Sequence, residues 1–223
     1  MNEAVADAIT KEKSSTKDIL YYGIKRGFDI SVALVGMLFL IPSIIFVKIA
    51  YMLTGDFHSI FYSQKRIGKN GKEFNFYKFR SMLVDSEDLL TQTLKMDPIA
   101  AEEYRTTKKL KNDPRITKFG KFIRKTSIDE LPQLICILKG DMSLIGNRPY
   151  LPREKEDMGP FYESIIKTKP GLTGYWQVNG RSATTFAKRL ELESYYSNHC
   201  SLKMDVKIFF KTFEVVLFHK GAE

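Results

Sequence analysis

Cysteine and histidine are scarce in this 223-residue chain, with two thiols, Cys136 and Cys200, and three scattered imidazoles, His58, His199 and His219. That excludes a disulfide framework and argues against a zinc site, whose ligands come in closely spaced groups. There is no Walker loop, no Rossmann glycine fingerprint and no internal repeat, so the familiar phosphate cradles are missing. Disordered composition is missing too, because 43% of the residues are apolar, enough for a packed core in one domain or two small ones. Acids are outnumbered by bases, 26 to 35, and the net charge of +9 should attract something anionic: nucleic acid, acidic lipid or a phosphorylated substrate.

One stretch lacks charge altogether. Ile30 to Val47 are eighteen uncharged residues, about 27 Å as a straight helix and nearly enough to span a bilayer. The stretch starts too late and runs too long for a cleavable signal peptide, and the spacing leaves a buried core helix or lipid contact, with lipid favoured. Pro42 removes a backbone donor, so a bend is expected at Ile41-Pro42-Ser43. Lys25 and Arg26 precede the run, and Lys48, Lys65, Arg66, Lys69, Lys72, Lys78 and Arg80 follow it. Positive charge on both sides favours a re-entrant helix, entering and leaving on the cytoplasmic face, over a straight span. A nucleic-acid binder would need no such run, and no interleaved basic and aromatic face is present.

Around this anchor, residues 1–20 are expected as a mobile polar tail, 21–54 as the membrane helix, and 55–223 as a cytoplasmic catalytic domain. Gln64 to Met82 alternates around Phe74, Phe76, Tyr77 and Phe79 with turn signals at Gly68, Asn70 and Gly71, which predicts a hairpin. Residues 83–112 predict two helices broken at Asp97-Pro98. Leu202 to Lys220 mixes phenylalanines with lysines, as suits an interfacial helix or one that closes the core.

Chemistry has to come from the middle of the chain. Asp129 and Glu130 lie in TSIDELPQL, where Ser127 and Glu130 also have the spacing of a structural capping box. A helix start beside Arg124 and Lys125 suits a phosphate, with one carboxylate as nucleophile and a second orienting it or sharing magnesium. KGDMSLIGNRP brings Gly140, Gly146 and Arg148 together, and KPGLTGYWQVNGR brings Trp176, Gln177 and Arg181. Such loops suit a nucleoside diphosphate, although their glycines and prolines could make only turns and Trp176 could be core.

KRGFD, KFRSM, NDPRIT, TSIDELPQL, KGDMSLIGNRP and KPGLTGYWQVNGR, in this order over about residues 20–222, resemble the bacterial sugar transferases, the monotopic polyprenyl-phosphate phosphoglycosyl transferases. The resemblance implies a mostly helical α+β, membrane-associated monotopic enzyme with a proline-broken re-entrant helix, Pro42 at the break, and interfacial amphipathic helices. It implies transfer of a sugar 1-phosphate from a UDP-sugar to undecaprenyl phosphate at the cytoplasmic face of the bacterial inner membrane, releasing UMP and starting a surface polysaccharide. Asp129 would form a phosphosugar-aspartate intermediate, magnesium (Mg2+) would be held at Asp129 and Glu130, and Arg124 would lie near the lipid phosphate. Arg80, Arg148, Gln177 and Arg181 would serve substrate. Two departures from the usual pattern, Asn147 in Gly146-Asn147-Arg148-Pro149 and Glu193 after Leu192, leave the dyad untouched. The charged insertion before NDPRIT and the ending Lys220-Gly221-Ala222 resemble hexose 1-phosphate transferases of capsule and exopolysaccharide pathways, which favours glucose or galactose over N-acetylated donors. Many such relatives carry an extra multi-span N-terminal region, so a short form or a catalytic portion is expected. A non-enzymatic membrane scaffold is the rival reading, and the oligomeric state is open, self-association included.

Overall fold

A computed structural model describes the backbone of residues 3–180 and 184–217, and the side chains of residues 18–180 and 184–214. Helix α1 runs from Glu3 to Leu53. Residues 3–20 of the expected polar tail have helical backbone. They contain neither glycine nor proline and extend a helix already nucleated in the apolar run, so they need no hydrophobic periodicity of their own. Helical backbone runs on through Pro42, which lacks one donor.

One face of α1 is packed and the other is bare. Ala33, Leu40, Val47 and Tyr51 are buried along a single stripe, and a Cβ on Gly36 would stand 2.7 Å from the Leu134 side chain. Opposite them, Leu38 is 72% exposed and Leu53 83%, with Phe39, Ile41, Ile45 and Ile49 also bare. Only 17% of the helix's most apolar eighteen-residue window is buried, which excludes an ordinary core helix. Both ends of the apolar run of α1 are tied to the same folded body. Just before the run, Arg26 donates to the Ile137 and Leu138 carbonyls at 2.5 and 2.8 Å, and Asp29 accepts from Ser143 Oγ and the Leu144 amide. Near its end, the Tyr51 hydroxyl donates to the Arg80 carbonyl.

Strands β1 (Phe61–Ile67) and β2 (Glu73–Phe79) form the expected antiparallel hairpin, in register from Phe61 opposite Phe79 to Ile67 opposite Glu73. Its turn places Asn70 and Gly71 at φ 57° and 77°, a conformation that asparagine tolerates and glycine adopts freely. Helices α2 (Ser86–Met96) and α3 (Pro98–Thr107) follow, broken where expected. Asp97 caps α3 by accepting from the amides of Ile99 and Ala100 at 2.9 and 3.1 Å, and Pro98 begins the helix. The central elements are α4 (Lys118–Lys125), α5 (Gln133–Lys139) and β3 (Ser143–Ile145). Short helices α6 (Lys155–Met158) and α7 (Tyr162–Ile165) lead to β4 (Gly171–Thr173), which pairs with β3 in parallel. Helices α8 (Tyr175–Asn179), α9 (Phe186–His199) and α10 (Leu202–Leu217) complete the chain, giving a mostly helical α+β fold.

Helix α10 reconciles the two readings of the C-terminal stretch. Ile208 is buried in the core and Phe209 meets Phe28 edge-on at 5.2 Å, while Leu202, Val206, Phe210 and Phe213 stay exposed along the other side. Residues 218–220 of that stretch lie outside the described residues. On the other flank of α1, Phe122 of α4 sits 6.3 Å from Phe46 and is also half-exposed. Helices α10, α1 and α4 thus form one broad apolar surface, far more than scattered exposed residues would make.

Candidate active site

The dyad sits on a single 3-10 turn, Ile128–Glu130, between α4 and α5. The turn is entered by Ser127 in the left-handed region at φ 58°, and its side chain makes no cap hydrogen bond. The capping-box reading is thereby corrected: with Ser127 left-handed, its hydroxyl does not reach the amide that a cap would satisfy. Glu130 is held instead by Lys78 of β2, whose Nζ lies 2.8 Å from Glu130 Oε1 and 3.4 Å from Asp129 Oδ2. Pro132 caps α5 directly after the dyad and keeps the turn short.

Asp129 is buried and Glu130 half-buried. Burial pushes the Asp129 carboxyl above the usual carboxylate range, the Glu130 charge adds to this, and Lys78 and Arg124 oppose it. Glu130 is driven the other way. Its burial would raise it, but the Lys78 charge and hydrogen bond, with help from Arg148 and Gln133, hold it below the ordinary range. The two adjacent carboxylates therefore differ in proton affinity, the pattern expected where one acts on substrate and the other stays anionic. Lys78→Met keeps the stem and removes the charge; we expect a loss of ~1–2 kcal/mol in chemical denaturation, because the bridge is half-buried, and an acid limb of turnover displaced to higher pH.

Arg124, in the last turn of α4, donates from Nε to Ser81 Oγ at 2.8 Å and is electrostatically coupled to Asp129. Its position depends on Gly120, where a Cβ would overlap the Ser81 carbonyl. Gly120→Ala is expected to push α4 off the end of β2, lowering the apparent Tm by an overpacking cost of ~2–3 kcal/mol and lowering turnover with it. The Asp113–Arg115 pair at 2.7 Å, from NDPRIT, stands behind Arg124 and contributes to its field.

Arg80, expected to serve substrate, is engaged by protein groups. Its guanidinium is engaged by Asp56 at 2.9 Å and the Ser59 carbonyl at 2.8 Å, and lies 4.4 Å over the Tyr51 ring. It ties the hairpin to the end of α1. Arg148 does approach the dyad, since its charge acts on Glu130, and it anchors a buried arginine group with Arg66 and Arg189. The Nε atoms of Arg66, Arg148 and Arg189 are buried without a hydrogen-bond partner, as is Gln177 Oε1. Burial, and next the neighbouring Arg148, lower Arg66 to about 10. Arg66 and Arg189 each lie within electrostatic reach of Arg148, so three cations gather on this side of the dyad. Arg181 lies outside the described residues.

Trp176 is buried, donates to Thr184 Oγ1 at 2.8 Å and carries Arg189 at 4.3 Å over its ring, so the core reading holds for it. Gly146, Gly171 and Gly174 pack backbone on backbone; a Cβ on Gly174 would overlap the Gly146 carbonyl, which makes these glycines structural. The sequence reading missed Lys78 as the bridge, Gln133 as a partner of Glu130, and Arg66 and Arg189 as members of the arginine group. Only Lys78 carried a signal: a cation on the inward-facing period of a strand between Phe76 and Arg80.

The bacterial sugar transferase profile matches residues 20–219. The chain belongs to the bacterial sugar transferase family. It is similar to the undecaprenyl-phosphate galactose phosphotransferase of Salmonella typhimurium, 45% identical over 89% of this chain and 41% of that protein. It is also similar to the exopolysaccharide production protein ExoY of Sinorhizobium fredii, 40% identical over 89% of this chain and 87% of that one. The undecaprenyl-phosphate glucose phosphotransferase of Komagataeibacter xylinus is 34% identical over 89% of this chain and 36% of its own length. The chain thus spans about two fifths of the Salmonella relative. In this member of the sugar transferase family, KFRSM, NDPRIT and TSIDELPQL meet at one place: they supply Lys78 and Ser81, the Asp113–Arg115 pair, and the dyad.

Proposed function

We propose that this chain transfers hexose 1-phosphate from a UDP-hexose to undecaprenyl phosphate, releasing UMP, as the first step of a surface polysaccharide. The observation that carries the proposal is the buried Asp129 beside an anionic Glu130, bridged by Lys78 and adjoining Arg124 and Arg148. The names of the Salmonella and Komagataeibacter relatives, galactose and glucose phosphotransferases, favour a hexose over an N-acetylated donor.

An Asp129 carboxylate oxygen attacks the phosphorus that bears the sugar. The bond from that phosphorus to UMP breaks, UMP leaves with the electron pair, and a phosphosugar-aspartate remains. A lipid phosphate oxygen then attacks the same phosphorus, the acyl phosphate bond breaks, and the carboxylate is restored. Splitting the reaction this way avoids crowding a nucleotide diphosphate and a lipid phosphate into one pocket at once. Arg148, Arg66 and Arg189 offer donors for the donor's diphosphate, Gln177 offers an acceptor, and Arg124 stands where it can meet the lipid phosphate. Lys78 favours the anionic form of both carboxylates.

Magnesium fits the dyad. Mg2+ is commonly held by one or two carboxylates with substrate phosphates and water, and Lys78 engages only one oxygen of each acid. Asp129 and Glu130 would hold it, and it would neutralise phosphate charge.

The bare face formed by α10, α1 and α4 supports attachment to the inner membrane from the cytoplasmic side. A re-entrant or in-plane α1 is favoured over a straight span because both ends of its apolar run are bound to one folded body, through Arg26 and Asp29 before it and Tyr51 after it. A cysteine placed near residue 5 is expected to resist impermeant labelling from outside intact cells; efficient labelling would require α1 to cross the bilayer.

The direct assay is magnesium-dependent UMP release from UDP-galactose and UDP-glucose, with and without undecaprenyl phosphate. Sustained release requiring the lipid and preferring one donor is expected. No release from either, with release from an N-acetylated donor, would transfer the proposal to that donor; no release from any would leave a scaffold.

A further inference from the structure

A second cavity, of about 160 Å3, opens at the opposite end of α5 from the dyad. It is lined by Tyr21, Tyr22, Lys25, Arg26 and Asp29 of α1, by Lys69 of the hairpin turn, and by Lys169 ahead of β4. The seven residues of α5 separate it from the dyad, about 10 Å at helical rise. It is smaller than the pockets of about 300–1,000 Å3 that enclose drug-sized ligands, so it suits a headgroup and not a nucleotide sugar.

Its charges are unevenly matched. Lys25 is paired with Asp205 at 2.6 Å, Arg26 caps the last carbonyls of α5, and Asp29 is satisfied by Ser143 and the Leu144 amide. Lys69 has the Tyr22 ring, 4.7 Å away, as its contact. Among the described residues Lys169 has neither a hydrogen bond nor an ion pair. A Cβ on Gly140 would lie 3.6 Å from both Arg26 Nη2 and Lys169 Nζ, so these two cations flank one point. Burial lowers the affinity of Lys169 for its proton, Arg26 and Lys69 lower it further, and Asp29 and Asp141 offset this in part. A half-buried, unpaired ammonium beside two more cations is stabilised by a bound anion. The cavity-lining part of α1 also carries the exposed apolar residues Ile24 and Phe28.

We infer that this cavity binds a phosphate ester, with Lys169, Lys69 and Arg26 as its charge partners, and that it is separate from the site of sugar-phosphate transfer. A glycerophospholipid headgroup and a soluble phosphate ester share this chemistry. The lipid source rests on the membrane reading given above, since its acyl chains would run along Ile24 and Phe28.

The test uses the full chain in detergent, titrated with dihexanoyl phosphatidylglycerol and with glycerol 1-phosphate, alongside Lys169→Ala and Lys69→Ala. Saturable binding that each variant weakens about tenfold, with unchanged Tm, is the expected result. The phosphatidyl probe binding tighter assigns the site to lipid, and equal affinity assigns it to a soluble ester. Flotation with phosphatidylcholine vesicles reports the membrane reading separately, so its failure leaves the glycerol phosphate arm decisive. Binding that is equally tight in wild type and both variants, or no binding of either probe, would overturn the inference.

Discussion

Asp129→Asn is expected to lower UMP turnover by roughly a thousandfold or more, the range associated with loss of a covalent nucleophile, while leaving the fold and membrane attachment in place. The amide keeps the shape of the side chain, and Lys78 still pairs with Glu130 at 2.8 Å. The stability sign is also defined. Because the folded protein raises the Asp129 carboxyl, its contribution is fully present below the unfolded value and is lost as pH rises through the folded one. Removing the charge at neutral pH therefore should not lower the Tm and is expected to raise it slightly. Turnover and thermal unfolding of the same preparation check both halves, and a variant that is inactive only because it is unfolded fails the second.

The second large effect belongs to Glu193 on α9, a completely buried carboxylate outside the dyad. Its Oε1 accepts from the Arg148 amide at 3.0 Å. Burial raises it from 4.5 to about 7, against the favourable influence of Tyr150, the Arg148 amide and Arg189. Since the folded value is the higher one, its stabilisation is complete below about 4.5 and is lost as pH rises through about 7. The loss is on the order of 3 kcal/mol, about 5–10 °C in Tm for a chain this size. Glu193→Gln should flatten that portion of the pH profile. Other carboxylates work in the opposite direction, so the difference between wild type and Glu193→Gln isolates the effect.

Much of this fold was legible along the chain, for local physical reasons. The hairpin announced itself through alternating aromatics and the Asn70-Gly71 turn, and Asp97-Pro98 marked a helix boundary with both a cap and a proline. The helical backbone of residues 3–20 was not legible, because helix propagation and not apolar periodicity extends α1 into them. Pro42 lies within helical backbone, between the buried Leu40 and Val47. The dyad was legible as two carboxylates, but its asymmetry was not. That asymmetry comes from Lys78, 51 residues away from Asp129, through a hairpin that folds back onto the 3-10 turn. Arg66, Arg148 and Arg189 converge from three separate elements, a convergence that no local pattern encodes. Arg80 shows the converse: an arginine within a shared motif whose partners Asp56 and Ser59 come from the segment joining α1 to β1.

The central claim is a covalent intermediate on Asp129, and the most direct measurement is rapid-quench UMP release from the preferred UDP-hexose with magnesium and without any lipid acceptor. The account predicts a burst of about one UMP per active protein, with the intact protein gaining the mass of one hexose phosphate, mapped to Asp129 and discharged on adding undecaprenyl phosphate. UMP release that begins only once the lipid is present, with no mass gain at any time, would contradict it.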